Sequence, residues 1–169
     1  MSRETKNIAK NQIYAKLGIM NKPFAYNKKA HFDYEILETL EAGISLMGTE
    51  VKAIKNGHVS LKGAFVVVKS GEAWLLNATI SPYQPNNTPK SYDPARSRKL
   101  LLHKQELGHM FGRTQEKGLT LIPIKLYNKK GKIKLEIGLG KGKRKFDKRE
   151  AIKKKDMKRE VERTMREKL

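Results

Sequence analysis

The sequence predicts a mainly β protein, a small closed or nearly closed antiparallel barrel with short flanking helices, and three observations predict it. Apolar and β-branched residues recur with the period-two spacing of strands in several short runs, each bounded by turn residues. Basic side chains share the wet face of such runs, as Lys132 and Lys134 do opposite Ile133, Leu135 and Ile137. Helical spacing is confined to two short stretches of the body, near 50–55 and 104–117. A two-layer α+β sheet is the alternative arrangement of the same elements.

Residues 1–25 mix Lys, Asn and Ser with scattered Ile8, Ile13, Leu17 and Ile19, and Gly18 and Pro23 interrupt the thin stripe of Ile8, Gln12 and Ala15. They read as an arm that is disordered when free. In 27–37, Phe32, Tyr34 and Ile36 alternate as a half-buried strand requires. Glu41, Ala42 and Gly43 make a bend, and 44–47 continue extended. Thr49 is the predicted N-cap of a helix over 50–55 closed by Asn56 and Gly57, with Val51 and Ile54 inward. Ser70 and Gly71 join the strands 65–69 and 74–76 as a hairpin.

Pro82, Pro85, Pro89 and Pro94 break any regular element over 81–98, which reads as a long loop. It carries Tyr83, Tyr92, Arg96 and Arg98, with Lys99 directly after it; the two tyrosine rings either stack on bases beside these cations or cover the core. Leu107, Met110 and Phe111 define a helix over 104–117, and Gly118 is its stop. Strands 119–127 and 132–137 then pair across 128–131, with Pro123 at an edge or bulge.

A chain of 169 residues has room for one core. Its net charge of +20 and pI near 10.1 call for a polyanionic partner, nucleic acid before an anionic membrane. No apolar run approaches the roughly 20 residues that span a bilayer, and the first residues lack the apolar segment of a signal peptide, so a cytoplasmic location is expected. The absence of cysteine excludes disulfides, thiolate metal sites and a cysteine nucleophile. Four scattered histidines without a phosphate-transfer motif argue against a ribonuclease, so no enzyme, cofactor or metal is expected. His31, His58 and His109 read as surface or packing residues.

Residues 141–169 carry 14 Lys and Arg against 6 Asp and Glu, net +8, which leaves +12 of the total on residues 1–140. Body and tail are therefore both basic, and the division expected is an arm over 1–25, a barrel over 26–140 and a tail over 141–169. Around that last boundary Gly138, Gly140 and Gly142 are interleaved with Lys141, Lys143, Arg144, Lys145, Lys148 and Arg149, so backbone and cations can both approach a phosphate chain. Met157, Val161, Met165 and Leu169 recur every four residues in the tail, a stripe too narrow for a stable isolated helix in water. Basic strand faces on a small barrel suggest the oligonucleotide-binding kind.

Several spaced blocks carry a resemblance. They are Asn27-Lys28-Lys29-Ala30 with Asp33-Tyr34-Glu35-Ile36, Gly48-Thr49-Glu50-Val51-Lys52, Asp93-Pro94-Ala95-Arg96-Ser97-Arg98-Lys99-Leu100-Leu101-Leu102-His103, Gly118-Leu119-Thr120-Leu121-Ile122-Pro123, and Gly140-Lys141-Gly142-Lys143 followed by Asp147-Lys148-Arg149. In this order and spacing the chain resembles the SsrA-binding protein family, also called small protein B. The resemblance implies a six-stranded antiparallel oligonucleotide-binding (OB-like) barrel with a basic tail that is disordered when free and helical on the ribosome. It also implies a role in trans-translation, without catalysis, as a monomer. The partners implied are the tRNA-like part of transfer-messenger RNA, elongation factor Tu in the delivery complex, and the decoding centre and empty messenger channel of the small ribosomal subunit.

Carried over to this chain, the RNA-binding positions are Asn27, Phe32, Tyr34, Glu41, Leu101 and His103, with Lys134 as a phosphate contact. The ribosome-facing set is Lys141, Lys143, Arg144, Lys145, Asp147, Lys148, Arg149, Met157 and Met165. The chain departs from the family in three places. Phe32 and Phe146 stand where histidine (or, at 146, tyrosine) is common, so the rings can stack but not donate, and Met157 stands where tryptophan is frequent. A general single-stranded RNA binder or ribosomal protein is the alternative use of the same barrel and charge.

Overall fold

The computed structural model describes residues 23–144 together with positions 146, 157, 160, 161, 164 and 165. The arm over 1–22 and the tail residues Lys145, Asp147, Lys148 and Arg149 lie outside the described residues. The described body contains nine strands and three α-helices. Strand β1 (Ala25–Tyr26) and helix α1 (Ala30–Asp33) precede the long β2 (Tyr34–Ile44). Helix α2 (Gly48–Lys55) and β3 (Val59–Ser60) lead to the hairpin of β4 (Phe65–Lys69) and β5 (Glu72–Leu76). After β6 (Thr79–Ile80) and β7 (Arg98–Leu101), α3 (Lys104–Thr114) connects to a second hairpin, β8 (Leu119–Lys129) and β9 (Lys132–Gly142).

Six strands close a ring in the order β8, β4, β5, β7, β2, β9, and β9 pairs back onto β8. Every pairing is antiparallel. The edge of β8 away from β9 is shared: β4 meets it at Leu121 and β1 meets it at Lys125 and Leu126. Strands β3 and β6 form a separate two-stranded ribbon. Both hairpins turn in two residues with positive φ, Ser70–Gly71 and Lys130–Gly131, the geometry that matches strand twist. The loop between β8 and β9 is thus tighter than the four residues expected from the sequence.

The inward rows of the ring supply the core, including Val66, Leu75, Leu100, Leu126, Leu135, Ile137 and Leu139. Strand β9 passes close to its neighbours because it carries glycine where they carry isoleucine. A Cβ on Gly138 would lie 2.8 Å from Ile124 Cδ1, and one on Gly140 2.7 Å from Ile122 Cδ1. Pro123 sits at a bulge, as expected, where the β8–β9 register slips between Pro123 and Lys125.

Several local expectations change. Residues 30–33 are a helical turn rather than strand, since Asn27 O accepts the Ala30 N–H and Lys29 O accepts the Asp33 N–H at 2.8 Å. Strand β2 continues through 41–43 without a bend because each of these residues has a partner on β9. Helix α2 is capped at Met47 rather than Thr49, with Glu50 Oε2 accepting the Met47 N–H at 2.9 Å. Helix α3 ends at Thr114, and β9 runs on to Gly142, beyond the boundary expected at 140. Among the described residues, no helix is long and apolar enough to cross a membrane.

Candidate nucleic-acid interface

Directly opposed residues of antiparallel strands point to the same side of a sheet. One outward row therefore runs Leu101 on β7, Gly43 on β2, Lys134 on β9 and Tyr127 on β8. Leu101 is 56% exposed, which its neighbour explains: Gly43 brings no side chain, and a Cβ there would lie 3.1 Å from Leu101 Cβ. The sheet thus presents a bare backbone step beside an exposed leucine, a surface on which the flat face of an unstacked base can lie.

Glu41 lies one row away on β2 and gathers the cations around it. Tyr127 Oη donates to its Oε2, Lys129 Nζ reaches both carboxylate oxygens at 2.9 and 3.0 Å, and Lys134 Nζ is 3.9 Å from Oε1. The Tyr127 hydrogen bond, followed by that from Lys129, holds the Glu41 carboxyl below the usual carboxylate range against the opposing effect of burial. Burial, followed by the hydrogen bond to Glu41, pushes the Tyr127 phenol up. The carboxylate is both a structural partner and the holder of two lysines on a surface that faces outward. His103 caps α3, its backbone N–H donating to Glu106 Oε2 at 2.9 Å, and its side chain is exposed two residues beyond Leu101.

The other predicted residues cluster at the start of β2. Asn27 is only 9% exposed; its Nδ2 donates to Pro123 O at 3.0 Å and its backbone N–H to Ile124 O at 2.8 Å. The amide therefore anchors α1 on the β8 bulge. Phe32 is exposed on α1, and Tyr34, half-buried, pairs with Gly142. A cleft of about 340 Å³ opens between α1 and the β4–β8 edge, with Asn27, Tyr34, Phe65 and Ile122 in its wall. Glu41 lies seven positions along β2 from Tyr34, about 23 Å of strand, so the predicted site is two clusters rather than one.

The family model described as SmpB protein matches residues 24–167. The chain belongs to the SmpB family. An SsrA-binding protein of Anoxybacillus flavithermus is 55% identical over 146 residues, 86% of this chain and 94% of the relative. One from Thermosynechococcus vestitus is 48% identical over 151 residues, 89% of this chain and 99% of the relative. A solved chain from the work described as "tmRNA-SmpB: a journey to the center of the bacterial ribosome" is 47% identical, with a TM-score of 0.60 over 75% of this chain and 92% of that one.

The proline-containing loop does not behave as an array of RNA-facing cations. Arg98 is fully buried, with Nε and Nη2 on Glu50 Oε1 at 3.0 and 2.8 Å and further bonds to the carbonyls of Ala78, Pro94 and Arg96. Arg96 grips the same carboxylate at 2.9 and 2.5 Å. Tyr92 donates to Ile80 O, and Tyr83 lies beneath Lys52 Nζ. These residues close the core, and of the set expected in this loop Lys99 alone keeps an exposed head, paired with Glu72.

Of the tail set, Lys141 is part of β9, and Lys143 is bound to the body through its backbone N–H on Asp33 O at 2.9 Å and its Nζ on His31 O at 2.8 Å. Phe146, Met157, Val161 and Met165 are exposed and helical. The backbone at these positions is helical, the conformation expected of the tail on the ribosome, and Thr164 Oγ1 donates to Glu160 O four residues back. The sequence reading missed Tyr127 and Lys129 as partners of Glu41. Their alternation with Lys125 on one face of β8 was the available signal.

Proposed function

We propose that the chain binds transfer-messenger RNA and acts in trans-translation, the rescue of ribosomes stalled on messages without a usable stop codon. Membership of the SmpB family over residues 24–167 carries this reading, and the lysine-lined outer face of the sheet supports it. The six-stranded ring is read as an OB-like barrel whose outer face binds the tRNA-like part of the RNA. In this reading Leu101 packs on an unstacked base, His103 donates to base or phosphate, and Glu41 sets the direction of Lys134 and Lys129. Phe32 and Tyr34 offer rings at the second cluster, with Asn27 holding α1 beneath them.

The tail is the part long and basic enough to run from the barrel into the decoding centre and messenger channel. Asp147, Lys148 and Arg149 make specific contacts there, and Met157 and Met165 lie along the helical stripe. The protein acts in the cytoplasm as a monomer, reaches the ribosome with elongation factor Tu, and catalyses no reaction.

Sequencing the RNA that copurifies with the chain, followed by competition between transfer-messenger RNA and bulk tRNA, tests the reading. The expected outcome is enrichment of transfer-messenger RNA and little displacement by a large excess of tRNA. Equal competition by bulk tRNA overturns it in favour of a general RNA binder.

A further inference from the structure

A second outward row crosses the sheet beside the first. Glu41 on β2 opposes Glu136 on β9, Glu136 opposes Lys125 on β8, and Lys125 opposes Tyr26 on β1. It spans three strand spacings, about 14 Å, and ends on the residue before Asn27. The row therefore joins the Glu41 cluster to the cluster around α1.

The groups along it suit RNA. Lys125 Nζ bonds Glu136 Oε2 at 2.8 Å and lies 5.5 Å from the centre of the Tyr127 ring, so its long chain is already held in place. An ammonium has three N–H donors, and with one on Glu136 two are left for a phosphate. Tyr26 is 47% exposed and stacks on His31 with ring centres 6.1 Å apart and planes 18° from parallel. On the outer face of β8 and β9, Lys125, Lys129, Lys132 and Lys134 outnumber Glu136, even with Glu41 alongside.

We propose that Lys125 and the Tyr26–His31 stack form a third RNA contact that bridges the two clusters, Lys125 binding a backbone phosphate and the stacked rings receiving an unpaired base. The inference rests on the function proposed above and adds the path the RNA takes across the sheet. Base stacking suits this position because every base offers a π-face, whatever the sequence.

The test uses the full chain and the tRNA-like part of transfer-messenger RNA. K125Q/E136Q leaves formal net charge unchanged. It is expected to weaken binding about 3- to 10-fold and to lower the slope of log affinity against log salt by about 0.7–1. Tyr26→Leu is expected to lose about 5- to 100-fold with the slope unchanged. Leu101→Ala reports on the proposed function independently. If Tyr26→Leu fails to fold, acylation of Lys125 in the unmodified chain decides: RNA should protect it. Equal reactivity of Lys125 in free and bound protein overturns the bridge. So does unchanged binding by both variants while Leu101→Ala weakens, an outcome that leaves the function standing. Loss of preference for transfer-messenger RNA over tRNA in the unmodified chain overturns the function and the bridge together.

Discussion

Glu50 is the residue on which the proline-containing loop closes. Its side chain is fully buried, and burial opposes its ionisation, but the hydrogen bonds from Arg96 and the Met47 N–H and the charge of Arg98 outweigh that and leave its pKa below the usual range. Replacing it with glutamine leaves a buried Arg98 without its counter-charge. Glu50→Gln is therefore expected to cost about 3–5 kcal/mol, read as a lower urea midpoint; an unchanged midpoint would contradict the role. Because the folded pKa values of both Glu50 and Glu41 are depressed, their contribution is complete above the unfolded value of about 4.3 and is lost as pH falls through the folded value. The melting temperature should then hold between about pH 5 and 8 as far as these two groups are concerned, and fall below about pH 4. Arg98 also marks where residue-level reading stopped. It stands in a cation-rich stretch, and nothing local identifies a partner 48 positions away. Apart from the family resemblance, Leu101 reads only as an apolar core residue; the absence of a side chain on Gly43 across the strand leaves it bare.

At the scale of elements, the second hairpin was legible in outline, since the period-two alternation of 119–137 marks both strands. Its end was not legible, because Gly138, Leu139, Gly140, Lys141 and Gly142 lack a β-forming pattern and are held as strand by their partners on β2 and β8. The division between body and tail accordingly moves. A chain stopped after Arg144 is expected to fold and to bind RNA with a modest loss. One stopped after Gly140 also loses the Lys141–Glu35 and Gly142–Tyr34 pairs and the Lys143 bonds to Asp33 and His31, and is expected to melt lower. Equal melting of the two would contradict this. Gly140→Ala should cost about 1–3 kcal/mol by crowding Ile122, and Ile122→Val in the same chain should recover part of it. Helix α1 was missed for a related reason. Phe32, Tyr34 and Ile36 alternate like a strand, but Asn27 and Lys29 supply carbonyls that turn the chain before Tyr34.

For the molecule as a whole, the +12 on residues 1–140 sets the dependence of binding on salt. With roughly six phosphates neutralised, affinity should fall about three decades between 50 and 200 mM salt, and a nearly flat titration would contradict the electrostatic account. Binding and rescue should also separate. Asp147, Lys148 and Arg149 all replaced by alanine changes formal charge by only one unit. This variant is expected to bind transfer-messenger RNA but not to support tagging of proteins made from a stop-less message. Loss of RNA binding in it would contradict the division of roles. By itself the sequence determined the class of the fold, its basic character, which strands pair as hairpins and, through its spaced blocks, the family. These follow from local periodicity, composition and motif order, all carried by neighbouring residues. The tertiary structure decided which charges face out and which are consumed in the core, how far β9 extends, and that Glu41, Lys134 and Tyr127 meet on one face. These depend on which strand lies beside which, so they come into being only when the ring closes.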